Sequence, residues 1–97
     1  MEKLSEGSIE FVVVRLKDRI SLVTDLSPYS PTFTVRYRDA LDTDPPLYDN
    51  EPASADGLDV KCLIDTTGWL KGIYKLWVKI MVSPETPIFG PFEFSVT

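Results

Sequence analysis

The pattern of apolar and polar positions predicts strands along most of the chain and helices nowhere. Alternation is clearest between Gly72 and Val82, where every second residue is apolar and β-branched or aromatic residues are frequent. Such a segment is typical of a strand with one buried face, and we predict it to be the centre of a sheet. Its inward positions are Tyr74, Leu76, Val78, Ile80 and Val82, and its outward positions are Lys75, Trp77, Lys79 and Met81.

Further extended segments follow one another at short spacing, separated by a turn predicted at Lys17-Asp18-Arg19 and by turns that contain proline or glycine. Thr32–Arg38 alternates cleanly, whereas a run of valines blurs the alternation in Ile9–Leu16 and indicates a strand that is covered on both faces or carries a bulge. The remaining extended segments are 20–26, 47–48, 58–65 and 89–97. Six or seven short strands without helical periodicity predict an all-β fold, namely a single antiparallel β-sandwich.

The predicted domain spans residues 9–97, and the polar residues 1–8 are predicted to be a flexible N-terminal lead-in. The single cysteine, Cys62, cannot form an internal disulfide and is predicted to be a small buried apolar residue. The hydrophobic core must therefore stabilise the fold by itself. Its predicted members are Phe11, Phe33, Val35, Tyr37, Val60, Cys62, Ile64, Tyr74, Leu76, Val78, Ile80, Phe92, Phe94 and Val96.

Composition excludes several classes of function. The net charge is −5 and the ten Lys and Arg residues are scattered, which argues against nucleic acid and against an anionic membrane surface. The chain contains no histidine, so that a Ser–His–Asp or Cys–His arrangement cannot form and zinc binding is disfavoured. We therefore expect no enzymatic activity, no cofactor and no small-molecule substrate. The N-terminus lacks the apolar core of a signal peptide, which predicts synthesis in the cytoplasm without export by that route.

The segment from Asp39 to Asp59 is acidic and irregular in pattern. It holds seven of the fifteen acidic residues and no Lys or Arg, and its prolines exclude a helix. We predict a long, mostly irregular connection with a brief edge strand at Leu47–Tyr48. Three interpretations stay open: a solvated loop, a contact with a basic neighbouring subunit, or a calcium site formed by Asp42-Thr43-Asp44 and Asp49-Asn50-Glu51.

Trp77 and Met81 are predicted to share the outward face of the central strand with Lys75 and Lys79. A tryptophan that points away from the core is either covered by another part of its own chain or serves as an anchor in an interface. Both alternatives fit the sequence. Trp69, which lies in a glycine-bounded corner, is predicted to cover one end of the sandwich.

The stretch Asp65-Thr-Thr-Gly-Trp-Leu-Lys-Gly-Ile-Tyr-Lys-Leu-Trp-Val-Lys-Ile, followed by Gly90-Pro-Phe-Glu-Phe-Ser-Val, carries a resemblance to a known family. The chain resembles the small immunoglobulin-like β-sandwich proteins of tailed bacteriophage virions, and in pattern it is similar to the N-terminal domain of baseplate upper proteins. The likeness also includes Phe11 to Asp18, Asp25-Leu26-Ser27 and Phe33-Thr-Val-Arg, so that it extends over nearly the whole chain. A baseplate upper protein would continue into a further domain, which favours a stand-alone virion component here.

The resemblance implies a non-enzymatic structural protein of the virion, either a capsid decoration protein or a neck or head–tail protein. Its partners would be major capsid or connector subunits, with self-association as a further option. The alternative is an immunoglobulin- or fibronectin-like adhesion module that binds carbohydrate through Trp77 paired with Tyr48 or Tyr29. The candidate interface residues are Trp77, Met81, Lys75, Lys79, Asp42, Asp44, Tyr48, Asp49 and Glu51.

Overall fold

The computed structural model describes residues 2–16, 25–41, 43–81 and 86–97, and these residues form strands and one short 3-10 helix at Ser27–Tyr29. Proline at the start of the helix is compatible with helical φ but cannot donate to a sheet, which explains why the extended chain is interrupted there. The strands are β1 (Glu2–Leu4), β2 (Ile9–Arg15), β3 (Thr32–Tyr37), β4 (Tyr48–Pro52), β5 (Ser54–Asp56), β6 (Asp59–Asp65), β7 (Gly72–Lys79) and β8 (Ile88–Val96).

The strands form two sheets, one of five strands in the order β1-β8-β7-β3-β4 and one of three in the order β2-β6-β5. The predicted all-β fold is confirmed. In immunoglobulin domains strands B, E and D face strands G, F, C and C′, and β2-β6-β5 facing β8-β7-β3-β4 has this connectivity. The sandwich is therefore immunoglobulin-like.

A tyrosine at the start of β7 supports the same assignment. The hydroxyl of Tyr74 donates a hydrogen bond of 2.5 Å to the carbonyl oxygen of Leu70, four residues upstream. This contact corresponds to the tyrosine corner of immunoglobulin-type sandwiches, which lies near the start of strand F. The Tyr74 ring also stacks between Trp69 and Phe94, with ring centroids at 4.9 and 5.6 Å. Trp69 thus covers the core at this corner, as predicted.

The core lies between the two sheets and draws its side chains from both. The central strand follows the prediction, since Tyr74, Leu76 and Val78 are buried whereas Lys75 and Lys79 are partly exposed. Cys62 is also buried, as expected. The buried apolar residues are Leu4, Val12, Val14, Leu16, Leu26, Phe33, Val35, Val60, Cys62, Ile64, Tyr74, Leu76, Val78, Ile80, Phe94 and Val96.

The predicted orientation of β2 is wrong. Phe11 is 52% exposed, whereas Val12 and Val14 are 4% and 5% exposed. Because β2 pairs with β6 without a register shift, the strand carries no bulge and simply presents its even-numbered residues to the core. Two other predicted core residues, Tyr37 and Phe92, are half-buried and pack against the core edge.

The N-terminal residues also differ from the prediction of a flexible lead-in over residues 1–8. Glu2–Leu4 forms β1, which pairs in parallel with β8, and Leu4 is buried in the core. The predicted sandwich was antiparallel with six or seven strands, whereas the described residues form eight strands that include this parallel pair. Burial of Leu4 and the backbone hydrogen bond from the Thr97 N–H to the Leu4 carbonyl hold the segment in place.

The acidic segment is more regular than predicted. Instead of a mostly irregular connection it contains β4 in the five-stranded sheet and β5 in the three-stranded sheet, and the chain passes between the sheets at Ala53. The predicted edge strand at Leu47–Tyr48 exists in longer form as β4. The turn predicted at residues 17–19, most of the predicted strand at 20–26, and Val82 lie outside the described residues.

Candidate interaction surface

The outer face of the five-stranded sheet presents Trp77 at its centre. Because Leu76 and Val78 point into the core, the residue between them must point outward, and the Trp77 side chain is half-buried there. In register, Trp77 lies opposite Thr34 on β3. We call Trp77 together with Lys75, Lys79 and Arg36 the Trp77 surface.

A depression of about 400 Å³ opens beside the indole ring. It has one aromatic side and several polar or cationic groups, and its walls come from four different strands. Such a combination can hold an apolar side chain of a partner while hydrogen-bonding groups around it set orientation. The lining residues are Thr34, Arg36, Asn50, Trp77, Lys79 and Ile88.

Gly90 on β8 allows the Trp77 ring to lie close to the sheet. Its φ is +131°, and a Cβ at this position would lie 2.8 Å from the carbonyl oxygen of Leu76 and 3.1 Å from Cδ1 of Trp77. A side chain at residue 90 would thus collide with both, so that glycine is required here. The neighbouring strand β8 therefore accounts for part of the Trp77 burial, and the acidic segment contributes Asn50 to the rim of the depression.

Three cationic side chains surround Trp77. Nη1 of Arg36 donates a 2.8 Å hydrogen bond to the carbonyl oxygen of Asp44, which orients the guanidinium beside the depression. On β7, Lys75 lies between Arg36 of β3 and Glu93 of β8, and Lys79 lies opposite Ile88 of β8. In the described part of the chain none of these three cations forms a salt bridge. They are thus available to an acidic partner.

The acidic residues predicted for the interface are distributed along the neighbouring edge. Asp49 and Glu51 are exposed on β4, the outermost strand of the five-stranded sheet. The carboxylate of Asp44 accepts a hydrogen bond from the Leu41 N–H and that of Asp49 accepts one from the Asn50 side chain. Asp42 lies outside the described residues. The edge beside the cationic Trp77 surface is therefore anionic.

Tyr48 does not share the outward face with Trp77. It lies opposite Val35 in register, and its ring packs against Phe33 and Trp69 at centroid distances of 5.3 and 5.9 Å. Its hydroxyl accepts a 3.0 Å hydrogen bond from the Asp65 N–H, which links the two sheets. The role of Tyr48 that the structure shows is therefore to close the edge of the core.

Met81 follows β7 and is 54% exposed. Its N–H donates a 2.9 Å hydrogen bond to the carbonyl oxygen of Tyr29, which fixes the end of the strand. The depression beside Trp77 does not include Met81.

The Cys62 thiol and the acidic side chains give little sign of reactivity or of metal binding. Burial raises the pKa of the Cys62 thiol to about 12, so that the thiol stays protonated and unreactive at neutral pH. Among residues 2–16, 25–41, 43–81 and 86–97, no three His, Cys, Asp or Glu side chains come together as metal ligands. The same residues contain no helix with the length and apolar character needed to cross a membrane.

The structure shows a second outward surface that the sequence analysis missed. On the outer face of the three-stranded sheet Ile9, Phe11 and Val13 of β2 lie beside Leu63 of β6, and each is about half exposed or more. We call these four residues the β2 stripe. The signal was present in the valine run, because a strand that is apolar at every position is also apolar on its outward face.

Comparisons of the chain with protein-family models, with curated proteins and with solved structures found no match.

Proposed function

We propose that the protein is a non-enzymatic structural component of a tailed-phage virion, a capsid decoration protein or a neck or head–tail protein, which binds neighbouring subunits through the Trp77 surface. The observation that carries the binding role is the half-exposed Trp77 beside a depression with cations on its rim. The virion assignment is supported by the sequence resemblance described above.

The chemistry of the Trp77 surface defines the partner that it fits. An apolar side chain would fill the depression, and carboxylates would meet Arg36, Lys75 and Lys79. Basic groups of the same partner would meet Asp49 and Glu51 on the adjacent edge. Alternating charges of this kind favour one orientation of the partner and penalise others, which suits a protein that occupies defined positions in a symmetric particle.

The alternative of a carbohydrate-binding adhesion module has less support. Sugar-binding surfaces commonly use exposed aromatic rings, and the ring of Tyr48 lies between Phe33 and Trp69 instead of beside Trp77. Tyr29 is half-buried and packs against the core. Binding to a glycan array that is lost in Trp77→Ala would nevertheless favour this alternative.

Purified virions provide the test. Particles from a lysate that contains the chain are separated on a density gradient, and the copy number of the chain per particle is measured by quantitative mass spectrometry. We expect many copies per particle for the wild type. A pool that stays entirely at the top of the gradient would contradict the virion assignment.

Two variants then test the surface. Trp77→Ala should reduce particle occupancy about thirtyfold at limiting concentration, as expected when an aromatic anchor worth about 2 kcal/mol is lost. Leu70→Ala is the matched control, because Leu70 is 73% exposed and lies outside the Trp77 surface. Its occupancy should equal that of the wild type. Equal occupancy of Trp77→Ala and the wild type would show that another surface makes the contact.

A further inference from the structure

The sheet edges of the sandwich differ in how well they are protected against pairing with another chain. On the β4 edge, Asn50 lies at a register shift and has a φ of +50°. Exposed carboxylates lie on both sides of Asn50, and Pro52 ends the strand. The strands β1 and β5 are each three residues long and carry charged residues. Bulges, prolines, charges and shortness are the features that block edge-to-edge pairing.

The edge strand β2 has only the charged residues Glu10 and Arg15 among these features. It is seven residues long, contains no proline, and keeps an unbroken register with β6 from Ile9 to Arg15. Its outward side chains include Ile9, Phe11 and Val13, which are 66%, 52% and 49% exposed. A long, flat, apolar edge is a template for another strand.

Backbone geometry shows which groups face the open edge. Thr66 N–H donates to the carbonyl of Ser8, and Leu16 N–H donates to the carbonyl of Leu58, so the even-numbered residues of this segment are bonded toward β6. In an antiparallel ladder the alternate residues direct their N–H and C=O groups the other way. Ile9, Phe11, Val13 and Arg15 therefore present both backbone groups at the edge. In the described part of the chain no strand pairs with that edge.

Space for a strand exists beside β2. A groove of about 480 Å³ separates its residues 12–15 from residues 91–93 of β8, and Glu2 also lines it. Within residues 2–16, 25–41, 43–81 and 86–97, the strand A that would pair with strand B in an immunoglobulin domain has no counterpart in the three-stranded sheet, since β1 pairs with β8 instead. The groove is thus the place where a further strand could be added.

The outer face of β2 and β6 is complementary to itself. In an antiparallel arrangement centred on Val12, Phe11 lies opposite Val13 of a second copy, and Ile9 lies opposite Arg15. One end of the face carries Asp65 and the other carries Lys61 together with the Arg15–Asp59 salt bridge. A two-fold axis brings Asp65 of each copy to the same end of the joined sheet as Arg15 of the other, two strands away.

We propose that the β2 edge pairs with the β2 edge of a second copy of this chain and forms a two-fold dimer with a continuous six-stranded sheet. The register centred on Val12 supplies about eight backbone hydrogen bonds, two for each of its four bonded residue pairs. It also packs Phe11 of each copy against Val13 of the other. This dimer does not depend on the proposed virion role.

Sedimentation of the full-length chain over a wide concentration range tests the proposal. The wild type is expected to show a reversible monomer–dimer equilibrium. A wild type that stays monomeric up to about 1 mM, where the Kd would be too weak for a specific dimer, would overturn it.

Two matched lysine variants separate edge pairing from packing through the face. Val13 and Leu63 are 49% and 50% exposed on the same outer face, but Val13 lies on the edge strand and Leu63 lies one strand further in. Val13→Lys should raise the dimer Kd about tenfold or more, whereas Leu63→Lys should change the Kd less than about threefold. If Leu63→Lys disrupts the dimer as strongly as Val13→Lys, the copies meet face to face and the proposal fails.

Amide hydrogen exchange gives a readout that needs no variant. The N–H groups of Phe11 and Val13 should become protected as the protein concentration rises, because they bond only across the dimer. Those of Val12 and Val14 should be protected at every concentration, because they bond to β6. Protection of Phe11 and Val13 that does not depend on concentration would contradict the proposal.

Discussion

The strands β7 and β2 both bury alternate residues in the same core, yet their outward faces differ. On β7 the outward residues are Lys75, Trp77 and Lys79, which are all half-buried beside neighbouring strands. On β2 they include Ile9, Phe11 and Val13, which lie on a strand with no further neighbour on that side among the described residues. The same alternation in the backbone thus produces a polar face with one aromatic residue in the first case and an apolar face in the second.

This difference shows what an alternating pattern can and cannot reveal. When the outward residues are polar, as on β7, the pattern identifies the buried face directly. When both faces are apolar, as on β2, size alone suggests Phe11 as the core residue, and the structure shows that the smaller Val12 and Val14 occupy the core instead. An apolar residue outside the core then becomes evidence for a contact surface.

The difference between β7 and β2 is tested most directly by truncating one large residue on each strand. Leu76→Ala should reduce the free energy of unfolding by about 2–5 kcal/mol, because Leu76 is fully buried and the change leaves a cavity. Phe11→Ala removes a larger side chain but should cost about 1 kcal/mol or less, because half of that side chain is already exposed. Urea denaturation at a protein concentration that keeps both variants monomeric measures both values. A larger loss for Phe11→Ala would show that β2 is turned the other way.

A smaller effect tests what fixes the start of β7 beyond packing. Tyr74→Phe removes the hydroxyl that donates to the Leu70 carbonyl and should cost about 1 kcal/mol of unfolding free energy. Tyr37→Phe is the control, because the Tyr37 ring meets Tyr74 edge-on at 5.1 Å. Urea denaturation of both variants measures these losses, and the loss for Tyr37→Phe should be below about 0.5 kcal/mol. A loss for Tyr74→Phe that is also below about 0.5 kcal/mol would mean that ring contacts, and not the hydroxyl, fix this corner.

The smallest expected effect is a dependence on pH that concerns β2 and not β7. Hydrogen bonds from the Ser8 hydroxyl and the Ser5 N–H lower the pKa of Glu10 from its ordinary 4.5. The hydroxyl and the N–H of Thr67 likewise lower the pKa of Asp65 from 3.8. A carboxyl whose pKa is lowered in the folded protein stabilises the fold at any pH above its ordinary pKa. This contribution disappears as the pH falls through the lowered pKa.

Amide exchange between pH 6 and pH 3 can locate this effect. Below about pH 4.5 the Ser5 and Thr67 amides, which donate to these carboxylates, should lose protection before the amides of β7. In the double variant Glu10→Gln, Asp65→Asn the remaining change with pH should be smaller. Loss of protection that begins in β7 would contradict the assignment of the acid-sensitive end to β2 and β6.

Much of the fold could be predicted because it depends on local patterns. The burial of Tyr74, Leu76 and Val78 follows from alternation within one strand, and the break at Ser27–Tyr29 follows from proline. The strand β1 could not be predicted in this way. It is three residues long, and its burial depends on pairing with β8, more than ninety residues further along the sequence.

The candidate site was predictable to a similar degree. Trp77, Lys75 and Lys79 lie on one face because they are alternate residues of one strand, and the sequence alone shows this. The contribution of Arg36 depends on the register between β3 and β7, and the inward position of Tyr48 depends on the bulge in β4. Register is set by side chains that are distant in sequence, so one strand's pattern does not contain it.

The parallel pairing of β1 with β8 has a practical consequence for labelling and fusion. Glu2 lies beside Phe94 and Leu4 beside Val96, so a chain ahead of Glu2 and a chain after Thr97 would continue in opposite directions. A peptide joined ahead of Glu2 would continue past Glu93 and toward the groove beside β2, where it could occupy that edge and hide an association. A tag or fluorophore attached after Thr97 continues in the opposite direction, away from that groove, and it is the better choice for any binding experiment.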